Sequence, residues 1–143
     1  MGRNRSRIVT VTLLMSGAAT CVDQDLLARR GVTVTGMVRS RTTRAPVGAA
    51  YLSAWHAGGG VGFPATGTVL GAASTDSTGH YRLGVGAPPG YAGANCAVTA
   101  LTVAASGYQQ AVLTLSDIVT DCNGGGHQAS AQDILLDPSS SSP

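Results

Sequence analysis

The chain between residues 31 and 137 is divided into short apolar runs by closely spaced turn-forming residues. In the first run, GVTVTGMVRS, Val32, Val34 and Val38 fall on one face, and Thr33 and Thr35 fall on the other. This period of two predicts a half-buried strand. Six further runs are typical of strands: AAYLSAW, GTVLGAAST, HYRLGVG, CAVTALTVAA, QQAVLTLS and SAQDILLD. None has a convincing helical period, so we predict an all-β fold, a seven-stranded antiparallel β-sandwich with Greek-key connections.

The first twenty residues have the order of a secretory signal peptide. MGRNRSR is basic, IVTVTLLM is apolar, and SGAAT supplies small residues before Cys21. The apolar part is shorter than the ~20 residues that a membrane-spanning helix needs. Because the signal ends in cysteine, it resembles a bacterial lipoprotein signal, in which that cysteine is lipidated. We expect residues 1–20 to be removed, Cys21 to be lipidated and residues 21–30 to form a tether. The alternative is cleavage near Ala18 or Ala19, which would leave a secreted or periplasmic chain.

The charge balance excludes several classes of function. The chain has nine Arg, no Lys, seven Asp and no Glu. Three of the nine Arg lie in the signal, so the exported part has six Arg against seven Asp and lacks the cationic surplus of a nucleic-acid binder. Without Lys or Glu, the chain cannot build a lysine Schiff base, a glutamate acid/base pair or an HExxH metalloprotease.

Cysteine usage is consistent with export. If Cys21 is lipidated, Cys96 and Cys122 remain as an even pair in an oxidising compartment, and we predict a disulfide between them. Two buried thiols are the alternative. Neither cysteine has a partner at CxxC spacing, which argues against a redox or zinc role.

Four stretches occur in an order that resembles the carboxypeptidase regulatory-like domain, a member of the transthyretin-like (prealbumin-like) sandwich group. They are GMVRSRTTRAPVGAAYLSA, STDSTGHYRLGV, LTVAASGYQQAVLTL and DILLD, and they span nearly the whole exported chain. The resemblance implies one domain at residues 31–137. The composition of PSSSSP, residues 138–143, predicts a disordered tail or the start of a linker. The chain departs from the family pattern in three features: the glycine-rich loop at 57–67, the insertion at 86–95 and the predicted disulfide.

The resembling motifs imply structural rather than chemical roles. In TDSTGHY, Asp76 would bond the turn amides, Gly79 would supply a positive φ, and Tyr81 would fill the core. Gly107 and Tyr108 would form the next hinge. This family commonly accompanies transporters, peptidases or surface proteins.

The histidines do not form a recognisable catalytic or metal-binding motif. His56, His80 and His127, with Asp117 or Asp121, could approach a metal, but no pair has H-x-H or H-x₃-H spacing. AWHAGGGVGF and TDSTGHYRL faintly resemble strands of intradiol dioxygenases, but the H-x-H pair of those iron enzymes is absent. A G-x-S-x-G nucleophile motif and the C-terminal tyrosine motif of transthyretin-related hydrolases are also absent.

Aromatic residues are the other candidates for a binding surface. If Ala50, Leu52 and Ala54 point inward, Tyr51 and Trp55 share the outer face, where Phe63 and Tyr91 from loops could join them. Such a surface could stack on sugar rings or hold a protein. In the opposite register, Tyr51 and Trp55 would belong to the core, which suits the only Trp of the chain.

We therefore expect an exported, non-catalytic accessory or binding module of a bacterial cell envelope, lipid-anchored and without a cofactor or bound metal. The expected partners are the membrane and an envelope protein or glycan. The contrasting hypotheses are a carbohydrate- or protein-binding surface built from the aromatic residues, or a metal-dependent enzyme of the intradiol dioxygenase type.

Overall fold

The computed structural model describes residues 31–56, 67–120, 122 and 128–140. The predicted signal peptide, the lipidation site Cys21 and the tether therefore lie outside the described residues, as do Phe63, Asp121 and His127. The described chain forms eight strands: β1 (Val32–Ser40), β2 (Tyr51–His56), β3 (Thr68–Ser74), β4 (His80–Val85), β5 (Thr99–Ala104), β6 (Ala111–Thr114), β7 (Gln128–Ser130) and β8 (Ile134–Leu136). None of the helical turns in these residues is long and apolar enough to cross a membrane.

The strands form two mostly antiparallel sheets packed as a β-sandwich. Sheet I has the order β4-β1-β7, and β8 also pairs with β1; sheet II has the order β3-β2-β5-β6. The core lies between the sheets, where Val34 and Leu83 of sheet I and Leu52 and Leu101 of sheet II are fully buried. The predicted all-β sandwich is confirmed.

The structure has eight strands rather than seven because β7 is an additional strand that overlaps the last predicted strand, SAQDILLD, only at Ser130. Residues 128–130 and 134–136 both pair with β1, and both run parallel to it. Between them, the N–H of Gln132 donates to the carbonyl of Ile118, away from β1. Alternating hydrophobicity cannot distinguish parallel from antiparallel neighbours, so the prediction of an entirely antiparallel sandwich was wrong at this edge.

The tight turn between β3 and β4 is organised by Asp76. Its Oδ1 accepts hydrogen bonds from the backbone N–H and hydroxyl of Thr78 and from the N–H of His80, at 2.8, 2.7 and 3.1 Å. These bonds, led by that from the Thr78 hydroxyl, lower the pKa of Asp76. Gly79 has φ 78°, and a Cβ there would lie 2.7 Å from the carbonyl oxygen of Val38. Glycine is therefore required at this position for both conformation and space.

Tyr81 lies in the core because Gly36 opposite it has no side chain. The two residues are cross-strand partners, and a Cβ on Gly36 would lie 2.6 Å from the Tyr81 hydroxyl oxygen. That hydroxyl is buried without a hydrogen-bond partner among the described residues. Burial, with a smaller contribution from the charge of Asp133, raises the pKa of Tyr81 to about 12.

The predicted disulfide is present. Cys96 begins a 3₁₀ turn, Cys96–Val98, that leads into β5, and Cys122 follows a second 3₁₀ turn, Leu115–Asp117, after β6. The Cα atoms of the two cysteines are 5.7 Å apart. The bond thus links the two ends of the segment that contains β5 and β6.

The chain remains paired beyond the predicted domain end. Gly107 has φ 81°, and the following Tyr108 bridges to Pro138. The N–H of Ser139 donates to the carbonyl of Gly107 at 2.9 Å. Pro138 and Ser139, which the sequence pattern places in the tail, therefore hold β8 against the hinge that precedes β6.

Candidate functional site

The most unusual surface of the described chain is the outer face of sheet II, because its four strands contain no charged residue. The charged side chains of the described residues lie on sheet I or in connecting segments: Arg39, Arg41, Arg44, Asp76, Arg82, Asp117, Asp133 and Asp137. Exposed sheet faces normally alternate apolar inward with polar or charged residues outward. The outer face of sheet II departs from this pattern.

The strand register shows which side chains share this outer face. Across the sheet, the outward residues form three rows: Ser74, Tyr51 and Ala104; then Ala72, Ser53, Thr102 and Val112; then Val69, Trp55, Ala100 and Thr114. The register of β2 against β3 shifts between Ala54 and Trp55. We refer to these eleven residues as the uncharged face.

Tyr51 and Trp55 lie at either end of this face. Ala50, Leu52 and Ala54 are fully buried and point into the core, whereas Tyr51 is 52% exposed and Trp55 is half-buried. Of the two alternative registers, the structure has the one that places Tyr51 and Trp55 outward. Four residues of strand separate them by about 13 Å.

Small side chains form the floor between the two aromatic rings. Ser53 lies between Tyr51 and Trp55 along β2 and is only 4% exposed, although it points outward. Its cross-strand neighbours Ala72 and Thr102 are also small. Small side chains therefore lie between the two aromatic residues on the outer face.

Tyr91 from the 86–95 loop approaches the Trp55 end of β2. Its ring contacts His56 edge-on, with ring centroids 5.9 Å apart and an interplanar angle of 69°. The Nδ1 atom of His56 is buried without a hydrogen-bond partner among the described residues. Because side chains alternate along a strand, His56 points to the opposite side of sheet II from Trp55, so this contact does not bring Tyr91 onto the uncharged face. Phe63 lies outside the described residues.

The histidines are separated by the fold. His56 ends β2 in sheet II, whereas His80 begins β4 in sheet I and is exposed. Within the described residues, no group of three or more His, Cys, Asp or Glu side chains is arranged to hold a metal ion.

The sequence contains a signal for the uncharged face that the alternation of apolar residues does not convey. The predicted strands GTVLGAAST, AAYLSAW, CAVTALTVAA and QQAVLTLS all lack charged residues. Their meaning depends on these four strands forming one sheet, which the local pattern does not reveal.

No protein-family model and no curated protein matches the chain. Several solved structures are similar to it. Chlorocatechol 1,2-dioxygenase from Pseudomonas putida has a TM-score of 0.47 and 17% identity, over 77% of this chain and 61% of that protein. A 9R-lipoxygenase from Cyanothece PCC8801 has a TM-score of 0.49 and 18% identity, over 80% of this chain and 18% of that protein. The C-terminal domain of the shaft pilin SpaA from Lactobacillus rhamnosus GG has a TM-score of 0.41 and 13% identity, over 76% and 98%.

The chain therefore spans less than two thirds of the dioxygenase and a small part of the lipoxygenase. None of these similarities assigns an activity to it. The fold defines the class of this protein: a two-sheet β-sandwich of mostly antiparallel strands, cross-linked by the disulfide between Cys96 and Cys122.

Proposed function

We propose that this chain is a non-catalytic, exported β-sandwich module of a bacterial cell envelope that binds a neutral partner through the uncharged face. The observation that carries the proposal is the absence of charge from all four strands of sheet II, combined with the outward position of Tyr51 and Trp55. The motif order that resembles the carboxypeptidase regulatory-like domain supports a binding role rather than an enzymatic one.

A neutral glycan is the partner that this face fits best. Aromatic rings at the ends of the uncharged face offer flat apolar surfaces for sugar rings, and the partly exposed Thr102 offers a hydroxyl group between them. A charged ligand would lose its hydration on this face without gaining an ion pair there. Binding would therefore rest on apolar contact and neutral hydrogen bonds.

The experiment is co-sedimentation of the purified protein with insoluble neutral polysaccharides and isolated envelope glycans. Wild-type protein should be depleted from the supernatant, and Tyr51→Ala should weaken the apparent affinity about tenfold, as loss of an interface aromatic residue can. Arg82→Ala, an exposed change on sheet I, is the control and should bind like wild type. Failure of wild-type protein to bind any of them, or unchanged binding by Tyr51→Ala, would refute the glycan assignment.

The envelope location rests on the leader sequence and on the disulfide, which is typical of exported proteins. We propose that Cys21 carries the lipid. Expressed in its native host, the protein should partition into detergent and accumulate unprocessed under globomycin, and Cys21→Ser should release it from the membrane. Membrane attachment that is indifferent to both treatments would contradict the anchor.

The contrasting enzymatic hypothesis has its own test. Elemental analysis of the purified protein should find no stoichiometric iron or zinc. Stoichiometric metal that is lost in His56→Ala or His127→Ala would overturn the non-catalytic assignment.

A further inference from the structure

Tyr91 is an exposed aromatic residue that the uncharged face does not include. It lies in the connection 86–95, between β4 and the first 3₁₀ turn, and is 40% exposed. The exposed tip of this connection, residues 89–92, has the sequence PGYA, and the whole connection contains no charged residue. The connection therefore presents one aromatic ring, and no charge, to its surroundings.

The backbone holds Tyr91 in a tight turn. The N–H of Tyr91 donates to the carbonyl of Pro88 at 3.1 Å, and Gly90 has φ 83°. Pro89 and Gly90 are the pair that a type II turn favours, because proline fixes the first φ and glycine adopts the positive second φ. Pro88 is fully buried, and the Tyr91 ring contacts His56 edge-on. The tip is thus ordered before it binds anything, which lowers the entropic cost of a contact.

This turn lies at the end of the sandwich that is joined to Cys21. Val32, the first residue of β1, pairs with Val85, the last residue of β4. The residues that precede β1 and the connection that follows β4 therefore join sheet I at the same end. Sheet II reaches the same end, because Tyr91 contacts His56, the last residue of β2. We call this the tether end.

The tether end has little charge, whereas the opposite end is charged. In the connections described at the tether end, 86–95 and 115–120, the one charged residue is Asp117, whose carboxylate accepts a hydrogen bond from the Thr114 N–H at 2.9 Å. Tyrosine is enriched at membrane surfaces because it has an apolar ring and a polar hydroxyl, whereas a charged group loses hydration there. The tether end is therefore the better suited of the two to lie against a bilayer. The connections at the opposite end carry Arg41, Arg44, Asp76 and Asp137.

We propose that the turn at residues 88–91 rests in the headgroup region of the membrane to which a lipid on Cys21 holds the chain. This inference rests on the proposed lipid anchor. A single aromatic ring gives a weak contact, so the anchor is needed to supply a high effective concentration at the bilayer.

The contact would orient the domain on the membrane. Tyr51 begins β2 and His56 ends it, so Tyr51 lies at the end of sheet II away from the tether end. With the turn at 88–91 on the bilayer, Tyr51 would point away from the lipid. The far part of the uncharged face would then stay accessible to a glycan.

The test uses the exported chain, residues 21–143, with a thiol-reactive phospholipid attached to Cys21. The disulfide leaves Cys21 with the only free thiol, and chemical attachment makes the experiment independent of lipidation in the host. The protein is anchored in vesicles of phosphatidylethanolamine and phosphatidylglycerol. The only tryptophan is removed by Trp55→Phe, and a single new one is placed at the tip by Tyr91→Trp or in the exposed turn at the opposite end by Ser77→Trp.

Lipids brominated near the headgroup end of their acyl chains should quench the tryptophan of Tyr91→Trp, and its emission should shift to the blue. Ser77→Trp is the matched control and should keep the unquenched emission of a tryptophan in water. Equal quenching in the two variants, or no quenching of Tyr91→Trp, overturns the proposal. Thermal unfolding at the Tm of the parent protein shows that each variant is folded.

A second measurement keeps the native tyrosine. In lipid nanodiscs that contain a gadolinium-chelating lipid, the amide NMR signals of Gly90 and Tyr91 should broaden more than those of Ser77 and Gly79. Tyr91→Asp should abolish this difference, whereas Ser77→Asp, which adds the same charge at the opposite end, should preserve it. A difference that persists in Tyr91→Asp overturns the proposal. If the chemically anchored protein docks in this way but the native protein carries no lipid, only the proposed anchor is refuted.

Discussion

Removing the disulfide should lower the stability of the sandwich by a large and calculable amount. Cys96 and Cys122 are 26 residues apart, and closing a loop of that size in the unfolded chain corresponds to about 3.5 kcal/mol in the chain-entropy model. For a domain of about 100 residues, each kcal/mol shifts Tm by about 4–8 °C. The double variant Cys96→Ala/Cys122→Ala should therefore unfold about 15–25 °C below wild type.

Because of where the disulfide lies, its removal should lower the stability of the whole domain rather than of one loop. Cys96 is buried next to β5, and the segment after Cys122 continues to β7 on the opposite sheet. Alanine is the appropriate replacement because it removes little more than the sulfur atom and leaves no free thiol to pair with Cys21.

Thermal unfolding followed by circular dichroism, with and without a reducing agent, is the measurement. Reduction should bring wild-type Tm close to that of the double variant and leave the double variant unchanged. If the double variant melts within about 3 °C of wild type, the disulfide contributes well under 1 kcal/mol, and the entropic reasoning fails for this loop.

Three further predictions concern residues of the core and of the turn between β3 and β4. Because burial raises the pKa of Tyr81 to about 12 from 10.0, the folded state keeps that proton longer than the unfolded state. The free energy of unfolding measured with urea should therefore fall as pH rises from 10 to 12, by up to ~1.4 kcal/mol per pH unit. In Tyr81→Phe this fall should be smaller, and an equal fall in wild type and variant would contradict the raised pKa of Tyr81. Gly71→Ala should lower the free energy of unfolding by about 3 kcal/mol, because its Cβ would overlap the backbone carbonyl oxygen of Gly84. Gly84→Ala has open space around its Cβ and should be nearly neutral, so similar losses of stability in the two variants would disprove the close contact. Asp76→Ala should lower Tm more than Asp76→Asn, since Asn keeps the acceptor oxygen for the turn amides. The higher Tm of wild type relative to Asp76→Asn should disappear as pH falls below 3.8, and a Tm difference that does not depend on pH would argue against the lowered pKa of Asp76.

Much of the fold could be predicted from the local pattern. The alternation of valines in β1 and the residues of TDSTGHY specify a strand and a turn through neighbours in the chain, because pleat and turn conformation are local properties. The cysteine pair was predictable because only two cysteines remain once Cys21 is assigned to the lipid.

The candidate site was less predictable because it depends on distant segments. Whether Tyr51 and Trp55 face outward is a matter of register, and a shift of one residue would have placed both in the core. The break between β7 and β8 includes Gln132, whose N–H bonds to the distant Ile118 rather than to β1.

Most of the strands, the Asp76 turn and the pairing of Cys96 with Cys122 follow from the amino-acid sequence, because each depends on local conformation or on the number of cysteines. Three further features are set by the tertiary structure: four uncharged strands share one sheet, β7 and β8 run parallel to β1, and β6 is an outer strand of sheet II. These features arise from hydrogen bonds and packing between segments far apart in the chain, which alternation of apolar residues does not encode.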